Sequence, residues 1–275
     1  MVLASATRSG HVEINAARLY YEERGAGPSL LLIPGGTVDA THHAAVADLL
    51  ADDFRTVTYD RRANGRSPRP SGWHATSIAE QADDAAGLIE ALGLAPCAVW
   101  GGSLGGVVLL ELLVRRPALV GAALVHEPPL FAVLDDGEQA AKGLLASAAR
   151  AIRHSAVREE FRNHVRLSIG EAFEQLPPHL RERMFANATV FFDLEIPALV
   201  DHRPEPASLR RVLRRVDVPV TVMGDPHNHA ALPFRAACWL ADQLGTELRE
   251  LSGGHMPYAA TPEATAAAIR RALTD

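Results

Sequence analysis

A glycine-rich turn separates two apolar runs at Val99-Trp100-Gly101-Gly102-Ser103-Leu104-Gly105-Gly106. The residues before the turn are typical of a buried strand, and residues 107–114 are typical of a buried helix. A serine between small residues at such a junction is the signature of a nucleophile elbow, which lifts the hydroxyl clear of the sheet edge. So tight a turn leaves no room for side chains two positions before and after the serine, which are glycines here. Ser103 is therefore the candidate nucleophile, and a closely packed turn without chemistry is the alternative.

Strand and helix patterns alternate on both sides of this turn. Buried parallel strands read as continuous apolar runs, as residues 30–33 do. Two short strands precede the alternation, which indicates a small antiparallel edge. We therefore expect an α/β fold with a mostly parallel, eight-stranded sheet flanked by helices. The expected strands are residues 12–15, 19–23, 30–33, 55–59, 98–101, 122–126, 218–223 and 247–251, and the expected helices are 41–51, 77–92, 103–116, 230–244 and 262–273.

The alternation stops after the sixth strand, and residues 130–215 contain no convincing strand pattern. We expect a core domain of residues 1–129 and 216–275, with residues 130–215 inserted as a helical lid (cap) domain. An insert at this point would emerge beside the elbow, above the carboxyl ends of the strands where open α/β sheets bind ligands. A set of helices that merely covers one sheet face is the alternative. The expected lid helices are residues 136–154, 156–173, 178–187 and 207–216.

Composition limits the classes of partner. The chain has 275 residues, 48% of them hydrophobic and 22% charged, with a formal net charge of −6. An acidic balance argues against nucleic acid or an anionic membrane as the partner. The first ten residues have no apolar run, so we expect a cytoplasmic protein. We interpret Cys97 and Cys238 as small core residues rather than a disulfide pair.

A serine nucleophile needs a histidine base, which in elbow proteins follows the last strand of the core. The segment Leu251-Ser252-Gly253-Gly254-His255-Met256-Pro257-Tyr258 has that position. His255 is the one histidine near the C-terminus, after glycines and before the final helix. His227 and His229 are weaker candidates, because they lie one strand–helix unit earlier.

The histidine in turn needs a carboxylate, and the sequence offers two. Asp225 follows the seventh strand, but it comes early in its loop and precedes a proline that restricts its backbone. Glu127 closes the sixth strand in His126-Glu127-Pro128-Pro129, at the same edge as Ser103. The longer glutamate side chain can reach a histidine from a neighbouring strand, so we favour Glu127 and keep Asp225 as the alternative.

The oxyanion of an ester intermediate needs two backbone N–H donors. The residue after the nucleophile, Leu104, is expected to supply one donor. The other is expected from Pro34-Gly35-Gly36-Thr37, where Gly36 is the first choice and Thr37 the alternative. We expect no metal and no organic cofactor, since His42 and His43 on the early helix are predicted to lie at the surface.

Four motifs occur in order along nearly the whole chain. They are Ile33-Pro34-Gly35-Gly36, Tyr59-Asp60-Arg61 with Gly65-Arg66-Ser67, Gly101-Gly102-Ser103-Leu104-Gly105, and Gly254-His255. Together they resemble the α/β-hydrolase family. The elbow, His126-Glu127-Pro128 and the segment from Gly253 to Tyr258 are most similar to zearalenone lactonase-type hydrolases. That resemblance implies cleavage of an ester or lactone, with Glu127 as the acid.

The sequence departs from the lactonase pattern at the elbow and in the lid. Leu104 stands where the lactonases carry a smaller residue. The Phe191-Phe192 pair lies near the position of a substrate-contacting tryptophan in the lactonases. The expected substrate is a small hydrophobic ester or lactone, of which a zearalenone-type macrolactone is one candidate. We expect substrate contacts from Thr37, Pro128, Phe131, Phe191, Phe192 and Met256.

Other activities can use the same serine site. A cofactor-free perhydrolase or a carbon–carbon bond hydrolase would need no different residue, and a ligand-binding receptor with slow turnover could retain all of them. Epoxide and haloalkane hydrolysis are disfavoured, because both need an aspartate at position 103. The sequence leaves the oligomeric state open, and a homodimer is one candidate.

Overall fold

The computed structural model describes residues 7–168, 170 and 172–274. Its strands are β1 (Arg8–Ile14), β2 (Ala17–Arg24), β3 (Ser29–Ile33), β4 (Arg55–Tyr59), β5 (Cys97–Gly102), β6 (Val120–His126), β7 (Val220–Gly224) and β8 (Arg249–Glu250). They form one eight-stranded sheet in the order β1-β2-β4-β3-β5-β6-β7-β8. β1 and β2 pair antiparallel, as do β2 and β4, and the remaining neighbours are parallel. The predicted α/β fold class, with its antiparallel edge, is confirmed.

Helices cover both faces of the sheet. The helices outside the segment between β6 and β7 are α1 (Ala44–Leu50), α2 (Ile78–Ala91), α3 (Leu104–Arg115), α10 (Leu232–Leu244), α11 (Pro257–Ala260) and α12 (Pro262–Thr274). The central strand β3 is buried over Leu30, Leu31, Leu32 and Ile33, each fully inaccessible to solvent. Helix α3 packs against β5 and β6 and is apolar nearly all round, as a helix buried on several sides must be.

Residues 130–215 lie between β6 and β7, and their described part consists of helices joined by short loops, with no strand; this segment is called the helical insert below. It contains α4 (Gly137–Arg153), α5 (Val157–Ser168), α6 (Ala172–Gln175), α7 (Pro178–Val190), a π-helix (Phe191–Glu195), α8 (Ile196–Asp201) and α9 (Pro206–Leu213). The predicted helix over residues 156–173 ends early, and part of that range lies outside the described residues.

The helix that begins at Pro178 runs past its predicted end at residue 187, and helical backbone continues through Pro197 to Asp201. Proline lacks the N–H of a regular helix and its ring crowds the preceding turn. The wider π-turn before it removes the conflict, with the N–H of Ile196 donating to the carbonyl of Phe191. Pro197 then occupies the first turn of α8, where a proline is tolerated.

Two predictions about single residues are wrong. His42 and His43 are buried, because the 3₁₀-helix Ala40–His43 turns inward under the C-terminal segment, and His43 stacks on Tyr258. Cys238 is exposed, since it lies on the outer face of α10, whereas Cys97 is buried as expected. No helix within the described residues is long and apolar enough to span a membrane.

Candidate active site

Ser103 lies in a strained turn between β5 and α3. Its backbone has φ 54° and ψ −127°, a region that non-glycine residues rarely adopt. A Cβ atom on Gly101 would lie 2.4 Å from the carbonyl oxygen of Gly105, and one on Gly105 would lie 2.3 Å from that of Ile33. The predicted need for glycine at both positions is confirmed, and the close packing fixes the serine at the sheet edge.

Glu127 and His255 form a buried pair beside this turn. Oε2 of Glu127 lies 2.7 Å from Nδ1 of His255, and the glutamate side chain is fully buried while the ring is 12% exposed. Glu127 also has a positive φ, 41°, directly after β6. A backbone strained at this point directs the carboxylate along the sheet edge toward the next loop.

The environment of Glu127 favours its ionised form. Burial alone raises the pKa of the carboxyl. The hydrogen bond with His255 and the N–H donated by Asp225 lower the pKa by more than burial raises it, so the net pKa lies below the usual value. An anion at this position stabilises an imidazolium and orients the ring through Nδ1. The opposite nitrogen, Nε2, is thereby left to act on a substrate or a nucleophile.

Asp225, the alternative acid, contacts the backbone of the same site rather than the His255 ring. Its N–H donates to Oε1 of Glu127 at 3.0 Å. Its Oδ2 accepts from the N–H groups of Gly253 at 3.0 Å and Gly254 at 2.8 Å, immediately before His255. Asp225 therefore holds the glutamate and the histidine loop in register.

Ser103 and His255 face one cavity of about 340 Å³. Among the described residues, no hydrogen bond joins the serine hydroxyl to the imidazole, and the two side chains share the cavity wall. Catalytic hydrogen bonds are often long in ligand-free enzymes and tighten when substrate binds. The arrangement is thus a buried acid–imidazole pair adjoining a strained serine.

The cavity wall is apolar and carries no Asp, Glu, Lys or Arg within the part of the chain that is described. Its polar side chains are Thr37, Ser103, His164, His255 and Tyr258. A volume of this size fits a drug-sized molecule. The remaining lining comes from the loop after β3, the start of α3, the helical insert, the start of α10 and the residue before α11; it includes Gly36, Leu104, Phe131, Met184, Phe191 and Met256.

The loop after β3 reaches the elbow closely. A Cβ atom on Gly35 would lie 3.0 Å from the carbonyl oxygen of Gly102, and Gly36 lines the cavity together with Leu104. Thr37 has φ 63°, an outlier for a β-branched residue. The two expected oxyanion donors, Gly36 and Leu104, thus lie on the same wall as Ser103.

Of the expected substrate contacts, Thr37, Phe131, Phe191 and Met256 line the cavity, and Pro128 and Phe192 are not among the described residues of its wall. Pro129 lines the cavity, whereas Pro128 packs against the start of α3, where its Cβ atom lies 3.4 Å from a Cβ built on Gly106. Phe192 is absent from the wall because its ring packs into the insert against Phe161. Adjacent helical residues face different directions, so only one of the two phenylalanines can reach the site.

His164 on α5 is a lining residue that sequence reasoning missed. Burial, with a smaller repulsion from His255, lowers the pKa of His164 to about 4, so its ring is neutral at pH 7. Its ring packs 5.3 Å from that of Phe191. Helix α5 is amphipathic, and His164 follows Phe161 by three residues and adjoins Val165, both of them buried. That spacing was the signal in the sequence for an inward-facing histidine.

Comparisons with known proteins agree with the fold. A model of the alpha/beta hydrolase family matches residues 30–268. The uncharacterised hydrolase YraK of Bacillus subtilis strain 168 is 30% identical over 251 residues, which cover 91% of this chain and 90% of that protein. A zearalenone hydrolase of Bionectria ochroleuca is 29% identical over 143 residues, covering 48% of this chain and 54% of its own. A solved thermophilic esterase from Thermogutta terrifontis superposes with a TM-score of 0.73 at 21% identity, covering 97% of this chain and 98% of its own.

Proposed function

This chain belongs to the alpha/beta hydrolase family, and from that premise we propose that it is a serine hydrolase that cleaves an uncharged carboxylic ester or lactone. The observation that carries the proposal is the 2.7 Å contact between Glu127 Oε2 and His255 Nδ1 at the cavity that Ser103 lines. A buried carboxylate that orients an imidazole beside a serine is the arrangement that activates a hydroxyl for acyl transfer.

The first half of the reaction forms an acyl-enzyme. Nε2 of His255 takes the proton of Ser103 while Oγ attacks the ester carbonyl, and Glu127 stabilises the resulting imidazolium. The N–H groups of Gly36 and Leu104 hold the oxyanion. The imidazolium then gives its proton to the departing alkoxide, and the carbon–oxygen bond of the ester breaks.

The second half regenerates the serine. His255 takes a proton from water, whose oxygen attacks the acyl carbon, and then returns that proton to Ser103 Oγ as the acid leaves. With a lactone the alkoxide remains tethered to the acyl group, so one ring-opened hydroxy acid is released.

The cavity wall supports an uncharged, hydrophobic substrate. A charged group would lose its hydration in this apolar space with no ionic partner among the described lining residues, which costs several kcal/mol or more. A neutral ester or lactone avoids that cost, and its apolar part gains from burial against side chains such as Phe131, Met184 and Phe191.

A zearalenone-type macrolactone is the first lactone to test. The similarity to the Bionectria ochroleuca zearalenone hydrolase covers about half of each chain, which makes this substrate a candidate to be measured. Smaller lactones and linear esters of similar volume belong in the same panel.

The direct test combines turnover with covalent labelling. Purified protein is incubated with p-nitrophenyl esters, small lactones and zearalenone, and lactone opening is followed as the gain in mass of one water. In parallel a fluorophosphonate probe labels the nucleophile, with fluoride as the leaving group, and the labelled residue is identified by peptide mass. We expect ester or lactone turnover and labelling at Ser103.

Two results would contradict the proposal. Labelling at a residue other than Ser103 would remove the assigned nucleophile. Labelling at Ser103 without turnover on any ester or lactone would favour the receptor-like alternative, in which the site binds a ligand and releases it unchanged.

A further inference from the structure

One face of the helical insert lies against the loop after β3, residues 34–39. Of four side chains at intervals of four, from α7 through the π-helix, three contact that loop directly and the fourth, Glu195, acts on it through Arg61. Residues spaced by four lie above one another on a helix, so they form a continuous stripe. The stripe consists of Arg183, Asn187, Phe191 and Glu195, and its partners run in the opposite direction through Asp39, Thr37, Gly36 and Gly35.

Asn187 holds the most strained residue of the loop. Its Nδ2 donates to the carbonyl oxygen of Thr37 at 2.8 Å, while its Oδ1 accepts from the N–H of Gly65 at 2.8 Å. The side chain is 3% exposed, so both bonds are sheltered from water. A β-branched residue with φ 63° costs about 1–3 kcal/mol and persists only where its surroundings fix it.

Glu195 acts on the loop through Arg61. The two form a buried bidentate pair, with contacts of 2.6 Å and 3.0 Å, and both side chains are almost inaccessible to solvent. The same guanidinium donates to the carbonyl oxygen of Gly35 at 2.8 Å. Asn64 also donates to Glu195 at 2.8 Å, so the carboxylate has a fixed position.

The other two members of the stripe complete the contact. Nε of Arg183 donates to Oδ2 of Asp39 at 2.8 Å. The ring of Phe191 covers Gly36 so closely that a Cβ atom there would lie 2.4 Å from it. The insert thus fixes both ends of the loop, at Asp39 and Gly35, and covers Gly36 between them.

We propose that this stripe of the helical insert sets the oxyanion hole, with Asn187 and Glu195 as positioning residues that act through the backbone of Thr37 and Gly35. The inference rests on the proposed function, because it assigns the N–H of Gly36 to the oxyanion. In this segment the insert is a fixed part of the catalytic frame rather than only a cover over the substrate.

A fixed loop matters because oxyanion stabilisation depends on donor geometry. Preorganised N–H groups lower the barrier only if they already point at the position that the oxyanion will occupy. A misplacement of about 1 Å can cost about 100-fold in rate. Loss of an Asn187 bond should therefore weaken transition-state binding far more than binding of the neutral substrate.

The test compares a reactive ligand with an unreactive one. An alkyl trifluoromethyl ketone accepts Oγ of Ser103 at its carbonyl carbon and places an oxyanion in the hole, while the proton moves to His255. The corresponding secondary alcohol fills the same cavity without forming that bond. For Asn187→Ala we expect affinity for the ketone to fall about 10- to 100-fold, with affinity for the alcohol changed less than about twofold. We expect kcat on a p-nitrophenyl ester to fall by a similar factor at nearly constant KM.

Glu182→Gln is the matched control, because it removes an exposed ion pair with Arg158 on the outer face of the same helix. It should change neither ligand's affinity. Should Asn187→Ala not fold, as judged by thermal unfolding, Glu195→Gln replaces it, since glutamine keeps the volume and one acceptor for Arg61. Amide exchange of residues 35–39 gives a readout that does not depend on turnover, and it should be faster in the variant than in the control.

The outcomes separate the two proposals. Equal losses for ketone and alcohol, or no loss for either, would overturn the positioning role while leaving the hydrolase proposal intact. A wild-type protein that neither turns over esters nor prefers the ketone to the alcohol would overturn the proposed function, and the positioning role would fall with it.

Discussion

Glu127 and His255 meet at 2.7 Å although 128 residues separate them in sequence. The glutamate closes β6 and the histidine follows β8, so the pairing spans the β7 position from which Asp225 emerges. Asp225 bridges that gap by donating its N–H to Oε1 of Glu127 and accepting from Gly253 and Gly254 with Oδ2. Two carboxylates at this edge therefore have different tasks, one toward the ring and one toward the backbone.

Glu127→Gln should reduce kcat by about 10³–10⁴-fold. The N–H of Asp225 requires an acceptor at Oε1, so the new carbonyl oxygen must take that place. The amide NH₂ then faces Nδ1 of His255 and fixes the ring in the tautomer that carries its proton on Nε2. A ring in that state cannot accept the Ser103 proton. The measurement is kcat on a p-nitrophenyl ester.

Asp225→Asn is the paired variant, and we expect it to reduce kcat less than about tenfold. The remaining carbonyl oxygen can still accept from Gly253 and Gly254. The amide then removes only the acceptor for the N–H and ring of the exposed His227, a bond that lies outside the Glu127–His255 contact. A larger loss for Asp225→Asn than for Glu127→Gln would mean that Asp225 is the acid in the working enzyme.

Ser103→Ala should lower kcat by at least about 10⁴-fold and abolish fluorophosphonate labelling. Removing one oxygen from a partly exposed side chain leaves the turn intact, because the N–H of Ser103 still donates to the carbonyl of His126. Thermal unfolding and affinity for the substrate-like alcohol should match wild type. Retention of the wild-type esterase rate would show that another residue attacks the ester.

The centre of the fold was predictable from the sequence because strands such as β3 and β5 are buried and read as apolar runs. Leu30, Leu31 and Ile33 are fully buried, as an uninterrupted apolar run in a central strand must be. The π-turn before Pro197 was not predictable, because it is a local compromise between a proline and a long packed helix. The burial of His42 and His43 likewise depends on tertiary contacts, among them the stack with Tyr258.

At the candidate site, position in the chain identified the residues of the elbow, the strand end and the final loop. It could not identify contacts that cross from the helical insert. Asn187 and Glu195 are polar residues in a stretch of helix with no local feature that separates an inward from an outward face. Their roles come from packing against the loop after β3, and that packing has no sequence period. His164 differs from these two, because α5 has a clear apolar face and His164 lies beside its buried residues Phe161 and Val165.

Gly36→Ala should reduce kcat/KM by at least about tenfold. The new methyl group would lie 2.4 Å from the Phe191 ring, so either the ring or the loop must shift. The Gly36→Ala substitution should therefore reduce kcat/KM less in a Phe191→Ala background than in the wild-type background. Gly143→Ala is the control, since nothing lies within 4 Å of a Cβ atom there and alanine favours the helix by about 0.5–1 kcal/mol.

A Gly36→Ala enzyme with wild-type kcat/KM would contradict this reasoning. Steady-state kinetics on one ester, with thermal unfolding of each variant, is sufficient to decide.

Three histidines predict that the fold loses stability in mild acid: His43 and His126 are buried, and His164 is half-buried in the cavity wall. Burial lowers the pKa of His43 to about 3 and the pKa values of His126 and His164 to about 4, against 6.5 for an exposed ring. Between these values the unfolded chain binds protons that the folded chain does not, so the free energy of unfolding falls as pH decreases. Each group contributes about 1.4 kcal/mol per pH unit within that window. Their stabilisation is complete above pH 6.5 and is lost progressively below it.

Urea unfolding at pH 7.5, 6 and 5 measures this slope while carboxyls of ordinary pKa stay ionised. Burial raises the pKa of Glu111 and of Asp84, and proton uptake by either group would oppose the loss of stability. Glu127, whose pKa lies below 4.5, loses its contribution only under more acidic conditions.

His43→Phe should flatten the slope by about one proton, because an apolar ring can keep the stack on Tyr258 and His43 Nε2 has no hydrogen-bond partner in the described structure. His74→Gln, at an exposed position, should leave it unchanged. A wild-type free energy of unfolding that stays constant from pH 7.5 to 5 would mean that these three rings already accept protons in the folded state.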